Sequence, residues 1–332
     1  MSASSTPESR ALATEFSAAG TRSVPSTTTF QKKLRRIWFH RYIYLLMLPG
    51  LLWLIIFQYV PMWGVAIAFE NFQPWQGVLG SPWVGLANFQ TFFTSPDLVR
   101  LVRNTLLIGL LNIVFVFPAP IVLALLLNEV RHTTYKRVIQ TVSYLPHFVS
   151  WVVVGGLLIY TFSESLGMVT KLLGSVGLPP LTVIGSESAF LPLLVGSGIW
   201  KTVGFSAIIF LAAIAGLSPE LYEAAMVDGA NRFQRAIHIT LPGIVPVIVI
   251  LLILQVGAIF SSNYLQILIL IGGDASLYGV GDVIDTWVYR IGFFQGQMAI
   301  ATAVGILKGI LGLGLILGTN WFANRLTENG LW

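Results

Sequence analysis

Six stretches of this chain are each apolar over about 20 residues or more, the length an α-helix needs to cross the hydrocarbon core of a bilayer. They cover residues 43–69, 106–127, 138–161, 190–217, 244–271 and 298–322. Hydrocarbon offers no partner to a bare amide or carbonyl, so each stretch must satisfy its own backbone by becoming helical. Composition points the same way: 55% of residues are hydrophobic and only 10% are charged, where a soluble domain carries about 25%. The expected fold is an all-α polytopic membrane protein of about six transmembrane helices. Its internal Gly155–Gly156 and Pro118–Pro120 are tolerable because neighbouring membrane helices can satisfy freed backbone groups.

The placement of basic residues orients the spans. With the N-terminus inside, Lys32, Lys33, Arg35, Arg36, Arg41, Arg131, Lys136, Arg137, Arg232, Arg235 and Arg325 fall on the inner side, against Arg100, Arg103, Lys171 and Arg290 outside. Both termini are therefore expected in the cytoplasm. The basic clusters carry no interleaved aromatic residues, which argues against a nucleic-acid surface. Absence of cysteine removes disulfides, thiolate metal sites and a cysteine nucleophile together. Its four scattered histidines include no HExxH pair, so no metal site is expected.

Residues 1–36 are rich in Ser, Thr and Ala and bury too little apolar surface to offset the entropy of ordering. We expect a disordered cytoplasmic tail there rather than a secretory signal, a permease domain over 37–326, and a short cytoplasmic tail at 327–332. Of the outer segments, 70–97 mixes Trp75 and Trp83 with turn-forming Gly77, Gly80, Pro82 and Gly85, suiting an interfacial loop. Segment 163–188 carries a helical apolar pattern at Met168, Leu172 and Leu173. In segment 272–290, Asp274, Asp282 and Asp285 predict an acidic, irregular loop that steers a basic partner or is merely solvated.

The inner loop 218–243 is the most informative. Ser218 before Pro219 is a helix start, with the hydroxyl capping free amides and proline losing nothing at the first helical position. Glu220 suits the positive end of the helix dipole. Gly229 ends the helix by taking the left-handed conformation. A second helical run, 231–240, is expected to stop at Leu241–Pro242. The loop thus predicts two short helices about a sharp bend.

Glu223-Ala224-Ala225, Gly229, Ile239 and Leu241-Pro242 stand at the spacing of the EAA signature, and the chain resembles permease subunits of binding-protein-dependent ATP-driven importers. That resemblance implies a bacterial inner-membrane location and makes 218–243 the coupling loop, whose helix docks into a cytoplasmic ATPase subunit. It also implies a second, homologous permease, two ATPase subunits holding ATP and Mg, and an extracytoplasmic solute-binding protein. Tyr144-Leu145-Pro146-His147-Phe148-Val149-Ser150-Trp151, together with Trp83-Val84-Gly85-Leu86-Ala87-Asn88-Phe89 and Arg103-Asn104-Thr105, resembles the carbohydrate branch. Within it the likeness is to importers of oligosaccharides from plant and algal polysaccharides, including uronate oligomers such as alginate fragments.

No Gly-x-x-x-x-Gly-Lys-Ser/Thr loop occurs, so the chain lacks a phosphate cradle of its own and is not expected to be an enzyme. Two other classes make demands on the spans. An intramembrane aspartyl protease, suggested by Gly279-Val280-Gly281-Asp282, needs two membrane carboxylates sharing a proton; an ion-coupled transporter needs buried acids as ion sites. No predicted span contains Asp or Glu.

In maltose-type relatives the solute site lies midway across the spans that flank the coupling loop. Resemblance therefore makes Lys201, Thr202 and Phe205, beside Trp200, the candidates in the fourth span, and Gln255, Ser261, Ser262, Asn263 and Tyr264 those in the fifth. Gln255 and Ser262 are seven residues apart and would share a helix face. The bland alternative is interhelical hydrogen bonding. Lys201 either snorkels to the outer interface or faces the pathway, where it would favour an anionic solute.

Overall fold

The computed structural model describes residues 38–163, 167–177, 179, 183–261 and 264–327. The tail at 1–36 and the residues after 327 lie outside them. The chain divides into two units, Met1–Trp63 and Gly64–Trp332. The described part of the first is helical and forms most of α1 (Arg41–Phe69), a span of mean hydropathy 2.0. A π-helical turn at Ile55–Tyr59 and a 3-10 stretch from Val60 interrupt its α-helical geometry.

In the second unit, α2 (Ala87–Phe93) leads into α3 (Leu98–Asn128), an uninterrupted span. The predicted loop before α2 is short and pinned. Glu70 pairs with Trp83 in an isolated β-bridge, Trp83 stacks on Phe69, and Asn88 donates to the carbonyls of Ala68 and Glu70, both at 2.9 Å.

The third predicted span is not one rod. α4 (Thr133–Phe148) and α5 (Trp151–Phe162) meet at 102°. Leu145–Phe148 tightens into a 3-10 turn, Val149 is extended, and Ser150 caps α5 by accepting from Val153 N at 3.3 Å. The sequence shows only a continuous apolar run there, and proline lodged at the start of a tight turn explains the break. α6 (Met168–Ser175) matches the predicted short helix. α7 (Glu187–Ala215) is an uninterrupted span and packs most extensively along α3.

After α8 (Pro219–Val227) comes α9 (Arg232–Gly243), which meets α10 (Val245–Gly257) at 61°. The fifth predicted span, 244–271, thus begins at this bend and is broken once inside, because the helix ends at Gly257. A turn follows in which Ser261 N–H donates to Ala258 O at 2.8 Å, and α11 (Tyr264–Ile271) resumes beyond it. Glycine and serine favour such turns over helix continuation. Segment 272–290, expected to be irregular, is largely helical, ending in α12 (Ile284–Tyr289). α13 (Met298–Thr327) closes the unit. Among the described residues four helices are therefore long and apolar enough to span a membrane unbroken, and six if each bent pair counts as one.

Three apolar clusters hold the second unit together. Ile121, Ala124, Ala207, Phe210, Ile214 and Ile244 join α3, α7 and the foot of α10. At the opposite end Ile108, Phe190, Leu194, Ile267, Leu270 and Leu277 bring α3, α7 and α11 together. Phe92, Leu101, Trp287 and Val304 join α2, α3, α12 and α13.

Candidate functional site

Gly204 has no side chain to hold α4 away from α7, and a Cβ there would run into the Ser143 backbone. The end of α4 therefore lies against α7 one turn from Lys201. Lys201 is 6% exposed, and its Nζ donates to the carbonyls of Pro146 (3.3 Å), His147 (2.8 Å) and Val149 (2.6 Å). The ammonium also stands 5.4 Å from the Trp151 ring centroid. Three carbonyls freed by the 102° break thus receive a charged donor at the negative end of a helix dipole. Neither snorkelling nor an open path-facing position describes this arrangement: Lys201 binds the break between α4 and α5. Spacing along α7 carries no trace of it, because its acceptors are backbone atoms more than fifty residues away.

The turn so held lays the His147 ring on Phe205, with centroids 3.9 Å apart and planes 4° from parallel. Thr202 faces elsewhere. With Gln255 it lines a cavity of about 400 Å³ walled by Phe117, Ser206 and Phe210, while its hydroxyl also donates to Gly198 O at 2.8 Å. The structure therefore brings Thr202 and Gln255 together and sets Phe205 and Lys201 on the α4–α5 side. The expected Gln255–Ser262 face is interrupted by the end of α10, and Ser262 and Asn263 lie outside the described residues. His147 and Ser206 were not among the predicted site residues; the resemblance of the 144–151 run was the only signal that pointed toward His147.

The loop between α7 and α10 folds as two short helices. Ser218 Oγ accepts from Glu220 N at 3.3 Å, and Gly229 turns the chain with φ of 79°, where a side chain would be strained. Asn231 and Gln234 form a reciprocal capping box at the start of α9. Tyr222 and Thr240 share a hydrogen bond of 3.0 Å that ties α8 to α9. Leu241–Pro242 does not stop α9 as expected. A π-helical turn at Ala236–Thr240 absorbs the missing proline donor, and the break falls at Gly243–Ile244. Glu223, Ala224, Gly229 and Pro242 are exposed, while Ala225, Ile239 and Leu241 are half-buried. Glu223 borders a cleft of about 390 Å³ with Tyr222, Met226 and Asn128. Val227 is 88% and Phe233 72% exposed, apolar surface that a partner would cover.

At the other end of the spans two of the three acidic residues, Asp282 and Asp285, are committed to cations, while Asp274 is exposed. Asp282 is fully buried and takes Arg290 bidentately (3.1 and 2.7 Å), Arg100 at 3.3 Å and the Thr286 hydroxyl at 2.8 Å. Asn104 donates to the carbonyls of Gly279 and Asp282, and Thr105 Oγ1 accepts from Ile284 N at 3.0 Å. Asp285 pairs with Lys308 of α13. Asp274 accepts from Ser276 N at 2.9 Å, and the hydrogen bonds from Ser276 hold its carboxyl below the ordinary aspartate range. Asp282 is bridged to Asp97 through Arg100 and paired with Arg290, an ion network and not two carboxyls sharing one proton as aspartyl-protease chemistry requires.

Comparison with known proteins matches residues 117–328 to the family model described as "Binding-protein-dependent transport system inner membrane component". Protein LplB of Bacillus subtilis (strain 168) is 44% identical over 291 residues, covering 88% of this chain and 91% of LplB. The polygalacturonan/rhamnogalacturonan transport system permease protein YteP of the same organism is 43% identical over 292 residues, covering 88% and 90%. Among solved structures, a chain of a bacterial ABC transporter involved in the import of the acidic polysaccharide alginate superposes with a TM-score of 0.81. It is 38% identical, and the match covers 90% of this chain and all of that one.

Proposed function

The chain belongs to the inner-membrane components of binding-protein-dependent transport systems, and from that premise we propose that it carries acidic, uronate-containing oligosaccharides inward by alternating access. The observation that carries this reading is the likeness to the alginate importer over nine-tenths of the chain, supported by the polygalacturonan permease at 43% identity. The solute path runs beside α7 and α10, with Thr202 and Gln255 bonding sugar hydroxyls from their shared cavity and the Phe205–His147 stack offering an aromatic face. Lys201 holds the turn that places that stack, and Ser262 remains a candidate from sequence.

Work comes from outside the chain. The exposed hairpin of α8 and α9 fits a groove on a cytoplasmic ATPase subunit, with Glu223, Ala224, Ala225 and Gly229 at the contact and Ile239, Leu241 and Pro242 fastening the hairpin to the spans. Two such subunits hold ATP and Mg, a second permease completes the pathway, and an extracytoplasmic binding protein delivers the sugar. Both termini are cytoplasmic. Reconstituting the chain with these partners in vesicles, and measuring uptake of an acidic and a neutral oligosaccharide of equal length with and without internal ATP, tests the reading. We expect ATP-dependent uptake of the acidic sugar; uptake of neither sugar, or uptake indifferent to ATP, would overturn it.

A further inference from the structure

A second cavity, of about 500 Å³ and lined by Ile271, Tyr278, Thr286, Tyr289, Arg290 and Phe294 among others, lies at the end of the spans opposite the α8–α9 hairpin. Its size is within the usual range for small-molecule sites. Its wall is unusual for a gap between membrane helices: three aromatic rings, one guanidinium and no carboxylate. Tyr289 stacks with Phe293 at 5.5 Å between centroids and meets Phe294 edge-on at 5.6 Å, so the rings form a continuous ledge. Phe293 and Phe294 are 73% and 72% exposed.

Arg290 is held in place before any ligand arrives. Its guanidinium lies 4.5 Å from the centroid of the Tyr278 ring, and Asp282 receives one N–H from each terminal nitrogen. A guanidinium has five N–H donors, so three are left by that pair. Asp282 is also reached by Arg100 at 3.3 Å, a guanidinium that pairs more closely with Asp97 at 2.8 Å. A rigid cation backed by aromatic faces suits a carboxylate borne on an apolar-faced ring. The geometry points to a subsite for one uronosyl residue, its carboxylate on Arg290 and its ring against Tyr289 and Phe294. This inference rests on the reading of the solute as an acidic oligosaccharide and places a second contact outside the Thr202–Gln255 cavity, where incoming sugar would be held first.

The chain has no cysteine, so Phe293→Cys, beside the cavity but outside its lining, reports local access to a thiol reagent. In the assembled transporter, excess acidic oligosaccharide should slow labelling about threefold while a neutral oligosaccharide of equal length leaves it unchanged, a difference of about 0.65 kcal/mol that is readily measured. Separately, Tyr289→Leu and Phe294→Leu, which keep apolar volume, should raise KM for the acid-sugar-loaded binding protein about fivefold with kcat unchanged, the mark of lost ground-state binding. Labelling unaffected by the acidic sugar, slowed equally by both sugars, or slowed by anionic lipid in the vesicle without sugar would overturn the subsite. So would a fall in kcat with KM unchanged, which marks a structural role. Wild-type transporter that takes up no acidic sugar would instead overturn the functional reading on which the subsite stands, whereas normal acidic uptake with neither effect overturns the subsite alone.

Discussion

Replacing Lys201 by methionine removes the ammonium while keeping most of the side chain's length and apolar body. Three hydrogen bonds from the charged group, to Pro146, His147 and Val149 carbonyls, disappear together. Hydrogen bonds to a charged group contribute about 1.5–3 kcal/mol each, so the gross loss is about 4.5–9 kcal/mol. Burying the cation near mid-bilayer costs roughly 2.5–3.5 kcal/mol on insertion scales, a penalty the variant escapes. Taken together, these leave a net destabilisation of about 1–6.5 kcal/mol, concentrated at the break between α4 and α5. Reversible unfolding in mixed detergent micelles would measure it, and a single Ser150→Cys reporter in the same background should label faster as the turn loosens. Because the ammonium gives its three hydrogen bonds to the turn, Lys201→Met should reduce uptake of acidic and neutral oligosaccharides alike, and Lys201→Arg should restore part of the stability. A loss under about 1 kcal/mol with Ser150→Cys labelling unchanged would refute the reasoning. So would a defect confined to the acidic sugar, which would return Lys201 to the pathway.

Gly204→Val should push α4 from α7 at the Ser143 backbone and cost about 1–3 kcal/mol by overpacking, read by the same unfolding assay. Gly229→Val forces a β-branched residue into φ of 79°; the variant should reach the membrane yet lose sugar-stimulated ATP hydrolysis by its partners, and full stimulation would contradict the proposed coupling role of the bend. Asp282→Asn strips the buried counter-charge from Arg100 and Arg290 and should destabilise by about 3–5 kcal/mol, whereas Asp274→Asn at the exposed surface should leave the fold's midpoint unchanged. With the Asp274 carboxyl held below its ordinary value by the Ser276 hydrogen bonds, its cap is present at neutral pH and lost only as acid titrates through that lowered value. Loss of the Ser276 amide's slow exchange at neutral pH would contradict this assignment.

Apolar length, the absence of cysteine and the EAA spacing are linear properties, so the sequence alone determined a polytopic helical membrane protein, the limits of its hydrophobic runs, and a bent helical pair after the fourth of them. Ser218 and Gly229 act within a few residues of themselves, through a cap and backbone conformation, and for that reason their roles were legible and recur in the structure. Only the tertiary structure decided what the charged residues do. Lys201 answers carbonyls more than fifty positions away, Asp282 joins guanidiniums from α3 and from the end of α12, and Asp285 meets Lys308 across α13. Hydropathy treats a run such as 138–161 as uniform and cannot register that its middle breaks by 102°, because the proline turn and serine cap that make the break are local and the lysine that binds it comes from α7. In a medium where a charge or a bare carbonyl is costly wherever it is unpaired, the partner settles the role of each polar group, and partners that lie far apart in the chain are brought together only by the packing of the helices.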